Sequence, residues 1–200
     1  MSVDVEAKLK AFAEGTISAL EFRDALYQGD DFQEFLENDP NLRYGNYVGD
    51  DVYLFLIERN YDDPGSALSA HGAVCDYLDR NGIEYQRSSE LSDDFGLLLD
   101  AMPKWLDVDT GYLKKHILPA AGDLKGAALK KWLKAELRAR FKFDSKPPRW
   151  IQSPAWPIGD KGPFVFLGQV PVKNYFHDMA AAYVFHDPAT GECETIVQVM

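Results

Sequence analysis

The stretch Ala182-Tyr183-Val184-Phe185-His186-Asp187-Pro188-Ala189-Thr190-Gly191-Glu192-Cys193-Glu194-Thr195-Ile196-Val197 sets two runs of β-branched and aromatic residues on either side of a Pro- and Gly-containing turn. Such runs suit the pleated, half-buried surface of a sheet, and the Asp-Pro and Thr-Gly punctuation suits the reversal between them. The stretch predicts an antiparallel hairpin. Upstream, Phe164-Val165-Phe166-Leu167 with Val170 supplies a third strand, and Lys146-Pro147-Pro148 reads as a rigid corner. The expected class is therefore α+β. A mainly helical region over residues 1–145 and an antiparallel β region over 146–200 should form one compact unit, the helices packed on the small sheet.

Ahead of the Pro-Pro corner the apolar residues recur at helical spacing. Asp123 is expected to cap a helix to about Arg140, with Ala128, Leu129, Trp132, Leu133, Leu137 and Phe141 inward and Lys130, Lys131, Lys134 and Arg138 grouped on the other side. Asp109 should cap a shorter helix that Pro119 closes. The segment from Ser88 to Asp94 reads as a polar connection. Asp63 with Pro64 starts a helix that carries Leu68, Val74, Cys75 and Leu78 inward and stops at Asn81-Gly82. The run Val52–Ile57 fits a buried strand or a buried helix, and the preceding Asp50-Asp51 favours helix. Asp31 is expected to cap a short helix stopped by Asn38-Asp39-Pro40, and Ser18 with Glu21 forms a capping box for another.

The chain has 200 residues, 46% apolar and 13% aromatic, enough to close a sizeable core. Its 32 acids against 21 Lys and Arg give a net charge of −11, which opposes general affinity for nucleic acid or anionic lipid. The charge is unevenly spread. Residues 1–100 hold 22 acids and 7 bases, whereas residues 101–200 hold 10 acids and 14 bases. The start lacks a basic, apolar leader, and no segment reaches membrane-spanning length, so a cytoplasmic protein without a membrane partner is expected.

Reactive chemistry finds little support in the motifs. His71 and Cys75 share a helix face, but two ligands do not make a metal site, and His177, His186 and Cys193 follow no ligand spacing. Neither cysteine sits in a nucleophile signature, no Ser occupies a GxSxG elbow, and no phosphate-cradling glycine loop is present. No metal, cofactor or catalytic residue is expected. Gln152, Gln169 and Gln198 stand in apolar or aromatic surroundings, where they should satisfy one another or hold backbone at a sheet corner.

The acids of the first half are the more suggestive feature. Asp30, Asp31, Glu34, Glu37 and Asp39 crowd together, Asp50-Asp51 and Asp62-Asp63 follow, and only Arg43 and Arg59 interrupt them. They form either solvated surface or a contact for a cationic partner, with Tyr44, Tyr47, Tyr53 and Tyr61 as possible anchors and Tyr53 equally a core residue.

The segment Pro147-Pro148-Arg149-Trp150-Ile151-Gln152-Ser153-Pro154-Ala155-Trp156-Pro157, followed by Phe164 to Gln169, Tyr183-Val184-Phe185 and Thr195-Ile196-Val197-Gln198, resembles immunity proteins of bacterial polymorphic toxin and contact-dependent growth inhibition systems. The similarity is firmest over residues 103–200. It implies a cytosolic, non-catalytic inhibitor that binds a cognate toxin domain. The acidic half makes a basic, nuclease-type toxin the expected partner, and Trp150, Gln152, Trp156, Gln169 and Gln198 would lend rigidity. The alternative is a small-ligand protein or hydrolase with a pocket over the sheet lined by Trp150, Trp156, Gln169 and Tyr183.

Overall fold

The computed structural model describes residues 2–29, 31–37, 41, 48–49, 51–172 and 179–200. Its class is α+β, helices first and a small antiparallel sheet last. Residue contacts divide the chain into Met1–Gly96 and Leu97–Met200. This boundary lies close to the change of charge near residue 100. It differs from the 145/146 boundary drawn from secondary-structure preference, because the helices after residue 97 share a core with the sheet.

The first unit is helical: α1 (Ser2–Ala13), α2 (Ala19–Gln28), α3 (Asp31–Glu37), α4 (Val52–Ile57), α5 (Pro64–Arg80) and the start of α6 (Glu90–Ala101). Local chemistry sets the ends. The Ser18 hydroxyl accepts from Glu21 N at 3.2 Å while the Glu21 carboxylate accepts from Ser18 N at 2.8 Å, completing the predicted capping box. Asp51 accepts from Leu54 N and so starts the Val52–Ile57 run as a helix. Asp63 accepts from Ser66 N, with Pro64 in the first turn. Asp31 lies inside α3 rather than capping it. The stop expected at Asn38-Asp39-Pro40 lies outside the described residues.

Apolar periodicity then builds the core. Phe12 stacks on Phe22 with centroids 4.2 Å apart, and Phe22 meets Phe32 and Tyr61 edge-on at 6.1 and 6.0 Å. Val74, Cys75 and Leu78 of α5 are fully buried in the same cluster, whereas Leu68 is only half-buried. Segment 83–89 returns to the end of α1, where Ser88 N donates to Ala13 O. Gly15 (φ +71) permits this approach, since a Cβ there would lie 2.8 Å from Ser88 Oγ. Helix α6 occupies part of the stretch read as a polar connection. Its apolar face, with Leu98 and Ala101 buried, outweighs the polar start.

The second unit continues with α7 (Thr110–Tyr112), extended by a π turn (Leu113–Ile117) and a 3-10 turn (Leu118–Ala121), then α8 (Gly126–Arg140). Asp109 caps α7 through Tyr112 N at 3.0 Å, and the chain winds past Pro119. Asp123 does not cap α8. A turn at Gly122 (φ +58) precedes it, and α8 begins only at Gly126 (φ +53), after Lys125 and without a side-chain cap. Ala128 is exposed rather than inward, while Leu133, Leu137 and Phe141 are fully buried.

The small ribbon β1 (Ile158–Gly159) and β2 (Gly162–Pro163) precedes the antiparallel sheet β3 (Val165–Pro171), β4 (Ala180–His186) and β5 (Cys193–Val199), in that spatial order. The predicted hairpin is present, with Tyr183 opposite Ile196 and His186 opposite Cys193. Its turn closes through Gly191 N to Asp187 O, and the Asp187 side chain accepts from Ala189 N and the Thr190 hydroxyl. One face of the sheet contributes Phe166, Ala181, Tyr183 and Phe185 to a core with α7, α8 and Trp156. Among the described residues no helix is long and apolar enough to cross a membrane.

Candidate partner-binding surface

In the first unit, helices α3, α4 and α5 are neighbours, α3 against α4 and α4 against α5. The expected contact residues within the described chain lie on these elements and their connections. Glu34 and Glu37 are exposed on α3, where Gln33 donates to the Glu37 carboxylate. Asp51 caps the start of α4 and Asp63 the start of α5, each turned to the main chain. Asp62 is exposed and lies 3.5 Å from the Arg23 guanidinium. Such an exposed pair contributes little stability and leaves the negative field largely in place. Asp30, Asp39, Tyr44, Tyr47 and Asp50 lie outside the described residues.

Tyr61 is not a surface anchor. It is 1% exposed, packs against Phe22, and donates its hydroxyl to Leu56 O at 2.9 Å. Burial pushes its phenol pKa up. Tyr53 is half-buried against the same core. The exposed apolar groups are others. Tyr27 on α2 is 56% exposed and donates to Ile57 O at the end of α4, and Leu54, one helical turn earlier, is 53% exposed. Leu54 was hidden in the sequence because Val52–Ile57 reads as uniformly apolar; helical geometry buries Val52 and Leu56 and turns Leu54 outward. The exposed Glu58 completes that face, four residues on.

The second unit explains its glutamines. Segment 149–153 is irregular, with no partner strand among the described residues, yet Arg149 N and O, Ile151 N, Gln152 N and Ser153 O are paired by side chains. Gln169 accepts from Arg149 N at 2.6 Å and donates to Arg149 O at 3.3 Å, as a neighbouring strand would. Gln198, 6% exposed, accepts from Ile151 N and Gln152 N and donates to Ser153 O. Gln152 donates to Val199 O. Tyr183 donates to Arg149 O at 3.0 Å while its oxygen accepts from Ile151 N at 2.8 Å. The three glutamines thus hold backbone, one of the two roles expected of them.

Trp150 donates its indole N–H to Trp105 O and lies 4.5 Å from the Tyr183 ring. Trp156 donates to Phe164 O and packs on Trp105, Phe141, Phe166 and Phe185. Of Trp150, Trp156, Gln169 and Tyr183, which the alternative reading names as a pocket lining, Trp150 borders a groove along residues 146–154, and the other three are engaged in packing and in holding the segment.

The cationic face of α8 is present. Lys131, Lys134 and Arg138 are exposed, while Lys130 pairs with Asp100 at 2.7 Å and Arg140 with Glu136 at 2.7 Å. His71 and Cys75 do meet, Sγ lying 3.8 Å from Nδ1, but the other ring nitrogen faces Ala13 O at 3.0 Å. Burial lowers the His71 pKa and raises that of Cys75. Among the described residues no three His, Cys, Asp or Glu side chains converge as a metal site. Comparison with protein-family models, curated proteins and solved structures finds no match to this chain.

Proposed function

We propose that this chain is a cytoplasmic immunity protein that neutralises a basic toxin domain by stoichiometric binding and makes or breaks no covalent bond. The observation that carries the reading is the exposed pair Tyr27 and Leu54, tied together by the Tyr27 hydrogen bond to Ile57 O, in a unit whose elements also expose Glu34, Glu37, Glu58 and Asp62. Protein interfaces draw most of their energy from a few desolvated apolar or aromatic anchors within a polar rim. Carboxylates around such anchors speed encounter with a cationic partner and exclude anionic ones. The first unit carries 21 acids and 7 bases, so its long-range field has one sign. The sequence resemblance of residues 103–200 supports the same reading. The second unit's role is rigidity, through the glutamine-held segment.

The test is titration calorimetry of the purified chain with the toxin domain encoded beside its gene. A one-to-one complex is expected, covering about 800 Å² on each partner. The triple change Glu34→Lys, Glu37→Lys and Asp62→Lys should slow association about tenfold or more at low salt and much less at high salt. Leu54→Arg, at an exposed position, should chiefly raise the dissociation rate. Absence of a complex at any salt concentration, or substrate turnover by the chain itself, overturns the proposal.

A further inference from the structure

Independently of the toxin reading, we propose that a groove in the second unit docks an extended, acidic peptide segment of a partner protein. The groove encloses about 410 Å³ and runs along residues 146–154 beside Lys104 and Trp105. Its apolar wall comes from Trp105, Trp150, Pro147 and Pro154. Its charged groups are Lys104, Lys146 and Arg149, all exposed, and no carboxylate lines it among the described residues. In a chain of net charge −11, three cations around an apolar floor form a local potential opposite to that of the whole. A ligand combining apolar side chains with carboxylates complements both features.

The groove is also preorganised. Gln169 holds the main chain of Arg149 and Gln198 holds that of residues 151–153, so a bound segment need not first order its floor. These contacts use the backbone of Arg149 and leave its guanidinium for a ligand carboxylate. Peptide is favoured over single-stranded nucleic acid by the net charge of −11, which opposes a polyanion more than a segment carrying a few carboxylates. Aliphatic side chains of such a segment would pack on the Trp105 and Trp150 indoles and the flanking prolines.

Fluorescence anisotropy on the full chain tests this with three labelled probes: a peptide of about ten residues alternating Glu with Leu and Tyr, its counterpart with Lys for Glu, and an oligo-dT strand. The acidic peptide should bind and change the tryptophan emission. Its affinity should fall about tenfold or more in the Lys146→Glu, Arg149→Glu double variant, and also when salt rises from about 50 to about 500 mM. Lys104→Glu, on a separate segment, should weaken it in the same direction if the double variant folds poorly. Equal binding of the two peptides, tighter binding of oligo-dT, no peptide binding, or affinity unchanged in the folded variants overturns the proposal.

Discussion

The two units satisfy their main chains by different means. In the first, helices and caps such as Ser18, Asp51 and Asp63 serve the backbone locally, and Phe12, Phe22 and Phe32 are left to fill the core. In the second, segment 149–153 has no partner strand among the described residues, and Gln169, Gln198 and Tyr183 reach across from the sheet to take that role. Local satisfaction leaves a surface free to carry charge and exposed anchors. Satisfaction at long range instead makes rigidity depend on a few side-chain groups, of which the Gln198 amide and the Tyr183 hydroxyl belong to buried residues.

Truncating each core should separate the two units most strongly. Phe22→Ala and Trp156→Ala each remove a large buried side chain and should each destabilise by about 3–5 kcal/mol. All four tryptophans (105, 132, 150 and 156) lie in the second unit, so their fluorescence reports that unit alone. In urea, Phe22→Ala should lower the midpoint followed by helical circular dichroism with little change in the tryptophan transition; equal shifts of both would erase the contrast.

A smaller effect is expected at the glutamines. Gln198→Leu leaves Gln152 N and Ser153 O without their side-chain partner in a nearly closed site, and should destabilise the second unit by about 2–3 kcal/mol. Gln169→Leu, at a more exposed position, should do so by about 1 kcal/mol. Amide exchange at residues 151 and 152 should quicken in the first variant only. The reverse order would show that the segment is held chiefly by its indoles.

The smallest effect is a pH dependence confined to the first unit. His71 is its sole histidine, and burial holds its pKa below the ordinary value, opposed by the Ala13 carbonyl and assisted by Arg87. A depressed folded-state pKa means that the unfolded chain binds the proton more readily. Its contribution is therefore complete above about pH 6.5 and is lost as pH falls through the lower folded value. Thermal melts followed by circular dichroism should shift downward between neutral pH and pH 5, and His71→Gln should flatten that shift.

Helix starts were legible at Ser18, Asp51, Asp63 and Asp109, where the capping residue and its first turn are adjacent in sequence, but not at Asp31, which lies inside α3. Asp123 failed as a cap because α8 starts only at Gly126, after Lys125, and α6 was obscured by its polar first turn. The acidic region was legible as composition, but its anchors were not. Tyr61 and Leu54 exchange their expected places because exposure depends on which helix face meets a neighbour. By itself, the sequence determined the α+β class, the hairpin, the capped helices and the uneven charge, all set by interactions within a few residues or by simple sums. Tertiary structure alone decided that α8 shares a core with the sheet, that Tyr27 and Leu54 face outward, and that glutamines 20 and 46 residues away pair with backbone near Arg149 and Gln152. Those outcomes require distant segments to meet, and a side chain's partners are settled only when they do.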